Sequence, residues 1–106
     1  MKWLEIIELR TSGNRVSEIE SYFLKIVNEI NRSERKQVIT LYYREQVSTD
    51  FSFHLIHTEK KMGNNGSALG LQIAAALKEL GLVNHEIWVE PELNSNNKIK
   101  EISNEN

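Results

Sequence analysis

Hydrophobic residues recur along this chain with two different periods. Four segments, residues 3–10, 37–44, 51–58 and 85–90, are rich in β-branched and aromatic side chains, which is typical of strands. Two others, residues 16–30 and 68–80, repeat apolar side chains every three or four positions, which is typical of amphipathic helices. The pattern therefore predicts the element order β-α-β-β-α-β.

Polar and glycine-containing stretches mark the predicted ends of the first elements. Residues 11–14 end the first strand, and the helix that follows begins either at Asn14 or at the capping-box pair Ser17 and Glu20. The connection 45–50 is short enough for a hairpin, so the second and third strands are predicted to pair in antiparallel fashion.

The second helix has a start signal and a stop signal. Ser67 is a good N-cap, and Gly81 is predicted to end the helix after Leu80. The preceding loop, residues 63–67, reads Gly-Asn-Asn-Gly-Ser and is predicted to turn with positive φ. Its amides at a helix N-terminus could also bind an anion, but a turn followed by a cap is the preferred interpretation.

The element order predicts an α+β fold, the ferredoxin-like βαββαβ sandwich. Right-handed crossovers would place both helices on one face of a four-stranded antiparallel sheet. This domain is expected to span residues 1–93. Residues 94–106 consist mostly of Asn, Ser, Lys and Glu, so they are predicted to be a disordered polar tail or a partner-dependent arm.

Side-chain alternation divides each strand between the two faces of the sheet. The more apolar sets should face the helices: Ile39, Leu41, Tyr43, Phe51, Phe53, Leu55, Ile87 and Val89. The opposite sets still hold large apolar groups: Val38, Thr40, Tyr42, Arg44, Ser52, His54, Ile56, Thr58, Glu86, Trp88 and Glu90. Exposed patches of this kind mark interfaces, and covering ~600 Å² is worth about 15 kcal/mol before association costs. We therefore predict a two-fold homodimer through this face.

Composition excludes several classes of protein. The chain has 106 residues, with 13 Lys and Arg against 15 Asp and Glu and a net charge of −2, which argues against a general nucleic-acid binder. It has no cysteine, so disulfides, thiolate metal centres and cysteine nucleophiles are excluded. No apolar run approaches the ~20 residues that span a membrane, and no signal peptide is evident, so a cytoplasmic location is expected.

Motifs for metal or cofactor chemistry are not evident, so no metal and no cofactor is expected. His54 and His57 lie three positions apart in one strand and should point to opposite faces, which prevents joint chelation. His85 is predicted to lie at the surface. The glutamates at 5, 8, 86, 90 and 92 are interpreted as a solvated or edge set.

Aromatic and histidine side chains are the best candidates for a ligand site. Their ordinary role is packing in a core or an interface, but they could also line a pocket for a flat apolar molecule. The candidate ligand-binding residues are Tyr42, Tyr43, Phe53, His54, His57 and Trp88. Arg44, at the end of the second strand, could bind a carboxylate.

The order of elements over residues 3–93, with a sheet that is apolar on both sides, resembles the dimeric α+β barrel superfamily. Within it, the chain is most similar to the small antibiotic-biosynthesis-monooxygenase-like proteins. The resemblance is architectural and assigns no catalytic residue to a numbered position. It implies two sheets packed back to back and a ligand cavity between sheet and helices. Some members oxidise aromatic polyketides without metal or flavin, some degrade haem, and many have no assigned activity.

Four functions are compatible with these patterns. The first is a homodimeric domain that binds a small apolar or aromatic molecule between sheet and helices. The alternative is a cofactor-independent, monooxygenase-like enzyme that acts on an aromatic substrate. A regulatory module that binds an amino acid at residues 11–14 is the third. An RNA-binding sheet is the weakest, because residues 51–55 lack the basic and glycine residues of the RNA-recognition motif.

Overall fold

A computed structural model of the chain describes residues 2–33, 37–60 and 63–91. The elements are β1 (Trp3–Thr11), α1 (Val16–Arg32), β2 (Val38–Arg44), β3 (Val47–His57), α2 (Ala68–Leu77) and β4 (Gly81–Val89). The predicted order of strands and helices is therefore confirmed. The predicted polar tail, residues 94–106, lies outside the described residues.

The four strands form one antiparallel sheet in the order β2-β3-β1-β4. The two central strands, β1 and β3, pair from Trp3 opposite His57 to Arg10 opposite Asp50. The fold is α+β and consistent with a ferredoxin-like arrangement, as predicted. None of the helices in the described part of the chain is long and apolar enough to cross a membrane.

The core lies between the sheet and the two helices. Ile7, Leu9, Phe51, Phe53 and Leu55 project from the central strands and are fully or almost fully buried. They pack against an apolar stripe on each helix, formed by Ile19, Ile26, Ile30, Leu69, Ile73, Ala74 and Leu77. The alternation in the sequence thus identified the helix-covered side correctly, because a one-residue shift would turn every side chain to the other face.

The connections differ in detail from those predicted. Neither Asn14 nor Ser17 is the N-cap of α1: Arg15 occupies that position, and Asn14 Oδ1 accepts a hydrogen bond from Val16 N at 3.2 Å. The hairpin between β2 and β3 is tighter than residues 45–50, since β3 already begins at Val47. Gln46 adopts a φ of 63°, the left-handed conformation that such a short turn requires.

The prediction that Gly81 ends the second helix is wrong. α2 ends at Leu77, and the chain then turns through two tight hydrogen bonds, from Glu79 N to Ala76 O at 3.3 Å and from Leu80 N to Leu77 O at 2.9 Å. Gly81 instead begins β4, opposite Thr11. A Cβ at this position would collide with the carbonyl oxygen of Arg10, so glycine is needed for the close approach of two strands.

Candidate functional site

One side of the sheet carries no helix of the described part of the chain, and its side chains form four rows that cross all four strands. We call this side the helix-free face. In the order β2, β3, β1, β4, three rows follow the strand register: Val38-Ile56-Leu4-Trp88, Thr40-His54-Ile6-Glu86 and Tyr42-Ser52-Glu8-Asn84. The fourth row is Arg44-Asp50-Arg10-Leu82. Its β2 member is placed by the 2.8 Å contact of Arg44 Nε with Asp50 Oδ2, because the register shifts after Tyr43 and the strand partner of Arg44 is Val47. The face therefore changes from apolar at one end to charged at the other.

The first row is an apolar band across the full width of the sheet. Val38 is 53% exposed, Ile56 42% and Trp88 58%, although strand residues of these types are usually covered. Leu82, at the other end of the face, is 75% exposed. Contiguous apolar exposure of this kind is typical of surfaces that bind other molecules.

A groove of about 670 Å³ lies along the middle of the helix-free face. Its lining includes Ile6, Glu8, Tyr42, Ser52, His54 and Asn84. The rings of Tyr42 and His54 lie 4.5 Å apart between centroids, and His54 Nε2 is 3.0 Å from Ser52 Oγ. Burial lowers the pKa of His54, although the charge of Glu8 opposes the shift, so the ring is neutral near pH 7. The groove thus offers an aromatic wall and an uncharged imidazole.

The charged end of the groove is organised around Asp50. Its Oδ2 is 2.8 Å from Arg44 Nε and 3.5 Å from Arg10 Nε. Burial tends to raise the pKa of Asp50, but hydrogen bonds from Arg44 and Thr49 and the charge of Arg10 outweigh it, so the pKa is lowered. Arg44, a candidate carboxylate binder, is thus already bound to a carboxylate within its own chain.

A second cluster lies on the helix-covered side and centres on Glu5. This side chain has no exposed surface. Its Oε1 is 2.7 Å from His57 Nε2, and its Oε2 is 2.7 Å from His85 Nε2. Ser67 adds its backbone N–H, at 3.1 Å from Oε1, and its hydroxyl group. Because an ionised carboxylate only accepts hydrogen bonds, both Nε2 atoms carry hydrogen in these contacts.

The surroundings of Glu5 are fitted to its carboxylate. A Cβ on Gly66 or Gly70 would collide with Glu5 Oε2, so both glycines make room for it under α2. Ser67 is the predicted N-cap of α2, and its Oγ accepts a hydrogen bond from Gly70 N at 2.9 Å. The anion at this helix N-terminus is therefore the chain's own Glu5, which complements the positive end of the helix dipole.

The hydrogen bonds around Glu5 keep it ionised. Burial by itself raises the pKa of Glu5, but the hydrogen bonds from Ser67, His85 and His57 together lower it below the ordinary value of 4.5. Trp3 stacks on His57 with ring centroids 3.9 Å apart, which fixes that imidazole from the side. Among the described residues, no set of three or more His, Asp or Glu side chains has the arrangement to hold a metal ion.

Two predictions for this region were wrong. Glu5 was expected in the solvated or edge set, and His85 at the surface, yet Glu5 is fully buried and His85 binds it with only 17% of its side chain exposed. One feature of the sequence could have revealed the burial of Glu5: it lies between Trp3 and Ile7 in the set of alternating β1 residues that faces the core. A glutamate there requires buried donors, which the sequence supplies only at distant positions.

The six candidate ligand-binding residues divide between the two sides of the sheet. Tyr42, His54 and Trp88 lie on the helix-free face, whereas Tyr43, Phe53 and His57 lie on the helix-covered side. Phe53 is fully buried, with its ring centroid 6.1 Å from those of both Tyr22 and Phe23. The hydroxyl of Tyr43 donates to Glu20 on α1. Of the six, Tyr42, Tyr43 and His54 line the groove, whereas Phe53, His57 and Trp88 do not, so the six do not form one site.

The loop formed by residues 11–14, which was predicted to bind an amino acid if the chain is a regulatory module, borders a shallow depression at the start of α1. Ser12, Gly13 and Asn14 line it, and Arg15 and Glu18 pair across it at 2.8 Å. The two charged side chains there thus pair with each other, although the buried Nε of Arg15 has no hydrogen-bond partner among the described residues.

Comparison with known proteins gives no relative from which a function could be inferred. No protein-family model matches the chain, and neither a curated protein nor a solved structure is similar enough to count as a match. The class of protein is therefore defined by fold and geometry alone, as an α+β domain with a ferredoxin-like arrangement and one sheet face that residues 2–33, 37–60 and 63–91 leave uncovered.

Replacing Glu5 tests the role of the buried cluster. We expect Glu5→Gln to reduce the free energy of unfolding by about 3 kcal/mol near neutral pH, because it removes the charge that both histidines contact. The lowered pKa of Glu5 means that its contribution is complete above pH 4.5 and is lost as the pH falls through the folded-state value. Denaturant unfolding at several pH values should therefore show the two proteins converging in acid.

The matched control is Glu45→Gln, in the exposed β2–β3 turn, which should change stability by less than about 0.5 kcal/mol. A Glu5→Gln protein as stable as the unmodified chain at every pH would contradict the role assigned to the cluster.

Proposed function

We propose that the chain forms a homodimer through its helix-free faces and binds a small aromatic molecule in the groove of Tyr42 and His54. The observation that carries the proposal is the apolar row Val38-Ile56-Leu4-Trp88, three members of which are 42% to 58% exposed. A row this wide gains free energy only if another surface removes it from water. A second copy carries the same row and needs no additional protein.

The groove is a better place for a ligand than the layer between sheet and helices. In that layer, the ring of Phe53 already contacts those of Tyr22 and Phe23. His57 is hydrogen-bonded to Glu5 and stacked on Trp3. One feature favours the layer: the hydroxyl of Tyr22 is buried and has no hydrogen-bond partner among the described residues. The groove, by contrast, has both volume and an aromatic wall, which are what a flat ligand requires.

Membership of the dimeric α+β barrel superfamily belongs to the same proposal. The sheet order and the uncovered face support it, since both are needed for two sheets to pack back to back. A monooxygenase-like enzyme is the second candidate, and the neutral His54 favours it. An uncharged imidazole beside an aromatic ligand can accept a proton from a phenol, which is the general-base step that such chemistry begins with.

The dimer is tested by a charge placed in the apolar row. In sedimentation equilibrium, the unmodified chain should give twice its mass of 12.3 kDa. Trp88→Glu should raise the dissociation constant about a hundredfold, because an unpaired carboxylate in the interface costs about 3 kcal/mol.

Leu24→Glu is the control for that variant, because Leu24 is 59% exposed but lies on α1, away from the proposed interface. Its dissociation constant should match that of the unmodified chain. Equal weakening by both substitutions, or a chain that is monomeric throughout, would refute the proposed interface.

The ligand site is tested by thermal-shift screening with aromatic acids, quinones and haem as probes. We expect His54→Ala and Tyr42→Ala each to weaken binding of a stabilising probe about tenfold, the effect of losing one aromatic contact worth ~1.4 kcal/mol. The probe's dissociation constant, measured by calorimetry, is the readout.

Tyr22→Phe separates the two locations, because it removes only the hydroxyl in the layer between sheet and helices. A probe that loses affinity with Tyr22→Phe but not with His54→Ala binds in that layer, and the groove assignment is then wrong.

A further inference from the structure

We propose that the two-fold axis of the dimer lies between the two packed sheets and runs parallel to their strands. Seen from above the sheet, it passes between β1 and β3. This inference rests on the proposed homodimer and specifies how its two sheets face each other. It follows from the sheet order β2-β3-β1-β4, in which β1 and β3 are central and β2 and β4 are the edges. A rotation about such an axis places each row of one copy over the same row of the other copy, with the order of the strands reversed. β2 then faces β4, and β3 faces β1.

The apolar row is complementary to itself under this rotation. Leu4 of one copy lies over Ile56 of the second, and Trp88 lies over Val38. All four side chains are covered by other apolar side chains, and none of them meets a charge. The apolar row, three members of which are 42% to 58% exposed, is thus removed from water.

The fourth row, which holds Arg44, Asp50, Arg10 and Leu82 and is called the charged row, is complementary in the same way. Arg10 of one copy lies over Asp50 of the second, and this carboxylate is flanked by arginine in its own chain as well. Arg44 lies over Leu82, whose exposed side chain can pack against the methylene stem of the arginine. No like charges are opposed in this row.

The two middle rows also bring no like charges together. Glu86 of one copy lies over Thr40 of the second, and Glu8 lies over Ser52, so each carboxylate meets a hydroxyl group. Ile6 lies over His54, whose pKa burial lowers.

The grooves of the two copies then face each other across the axis. Asn84 of one copy lies over Tyr42 of the second, and the small Ser52 side chains leave space in the centre. The open groove of a single chain therefore becomes a chamber with a second wall, supplied by the other copy. A ligand between Tyr42 and His54 would contact both chains.

The other symmetric arrangement that keeps the strands of the two sheets aligned, with the axis perpendicular to the strands, is much less favourable. It lays each strand over its own copy with the row order inverted. Ile56 would then cover Asp50, and Ile6 would cover Glu8, so carboxylates would be buried against apolar side chains without new partners. The four apolar residues of the first row, three of them exposed, would also lie over the charged row.

Cross-linking of cysteine variants distinguishes the two axes, because the chain contains no cysteine of its own. Thr40→Cys and Glu86→Cys chains are mixed, unfolded and refolded together, and treated with a thiol cross-linker that spans about 10 Å, the distance between packed sheets. With the proposed axis, these two positions lie opposite each other across the interface. With the perpendicular axis they are about 19 Å apart, from strand and residue spacings.

The control mixture combines Glu86→Cys and Asn84→Cys chains. With the proposed axis these two positions are about 19 Å apart, and with the perpendicular axis they lie opposite each other. All three sites lie on the helix-free face, outside the apolar row and the core. Sedimentation of each mixture, before the cross-linker is added, establishes whether dimers are present.

Cross-linked dimers in the Thr40–Glu86 mixture, absent from either variant alone and from the control mixture, are the expected result. Cross-links only in the control mixture would overturn the proposed axis and leave the dimer through this face intact. Dimers that link in neither mixture would overturn the proposed axis, and the Trp88→Glu variant would then show whether the face is wrong as well. A monomer in every sample would overturn the homodimer itself.

Discussion

Two helices can cover only one side of a four-stranded sheet, and this constraint determines the rest of the structure. On the covered side, the alternating residues of β1 and β3 are buried against an apolar stripe of each helix. On the other side, the same strands carry an apolar band that no element of the described chain covers. Burial on the first side stabilises the fold, whereas exposure on the second favours association.

The buried Glu5 links the helix layer to the sheet at one end of the covered side. It binds His57 on β3, His85 on β4 and Ser67 at the start of α2, so one carboxylate joins three elements to β1. A buried charge is tolerated only when such partners are present. The two glycines that lie against Glu5 leave room for its carboxylate to reach them. The cluster is internally satisfied and largely closed to solvent. The cluster therefore explains how α2 is held on the sheet, and it does not indicate a catalytic role.

Patterns within a strand or helix predicted most of the fold. Alternation assigned Phe53 and Leu55 to the core and Tyr42 and His54 to the opposite side, because the period of a strand fixes side-chain direction. The partners of Glu5 lie 52, 62 and 80 residues away in sequence, so no local pattern could reveal them. Gly81 was misinterpreted for a similar reason. Its lack of a side chain serves a contact with β1, which is distant in sequence, and not the adjacent helix.

The helix-free face carries the functional interpretation, and Trp88 reports on it directly. The chain has two tryptophans: Trp3 is 7% exposed and Trp88 58%. Quenching of their fluorescence by acrylamide at high protein concentration, compared with a Trp88→Phe variant, isolates the signal of Trp88. If the helix-free faces pack together, Trp88 should be protected from acrylamide nearly as well as Trp3. Quenching of Trp88 as strong as in the unfolded chain would contradict the packing of these faces.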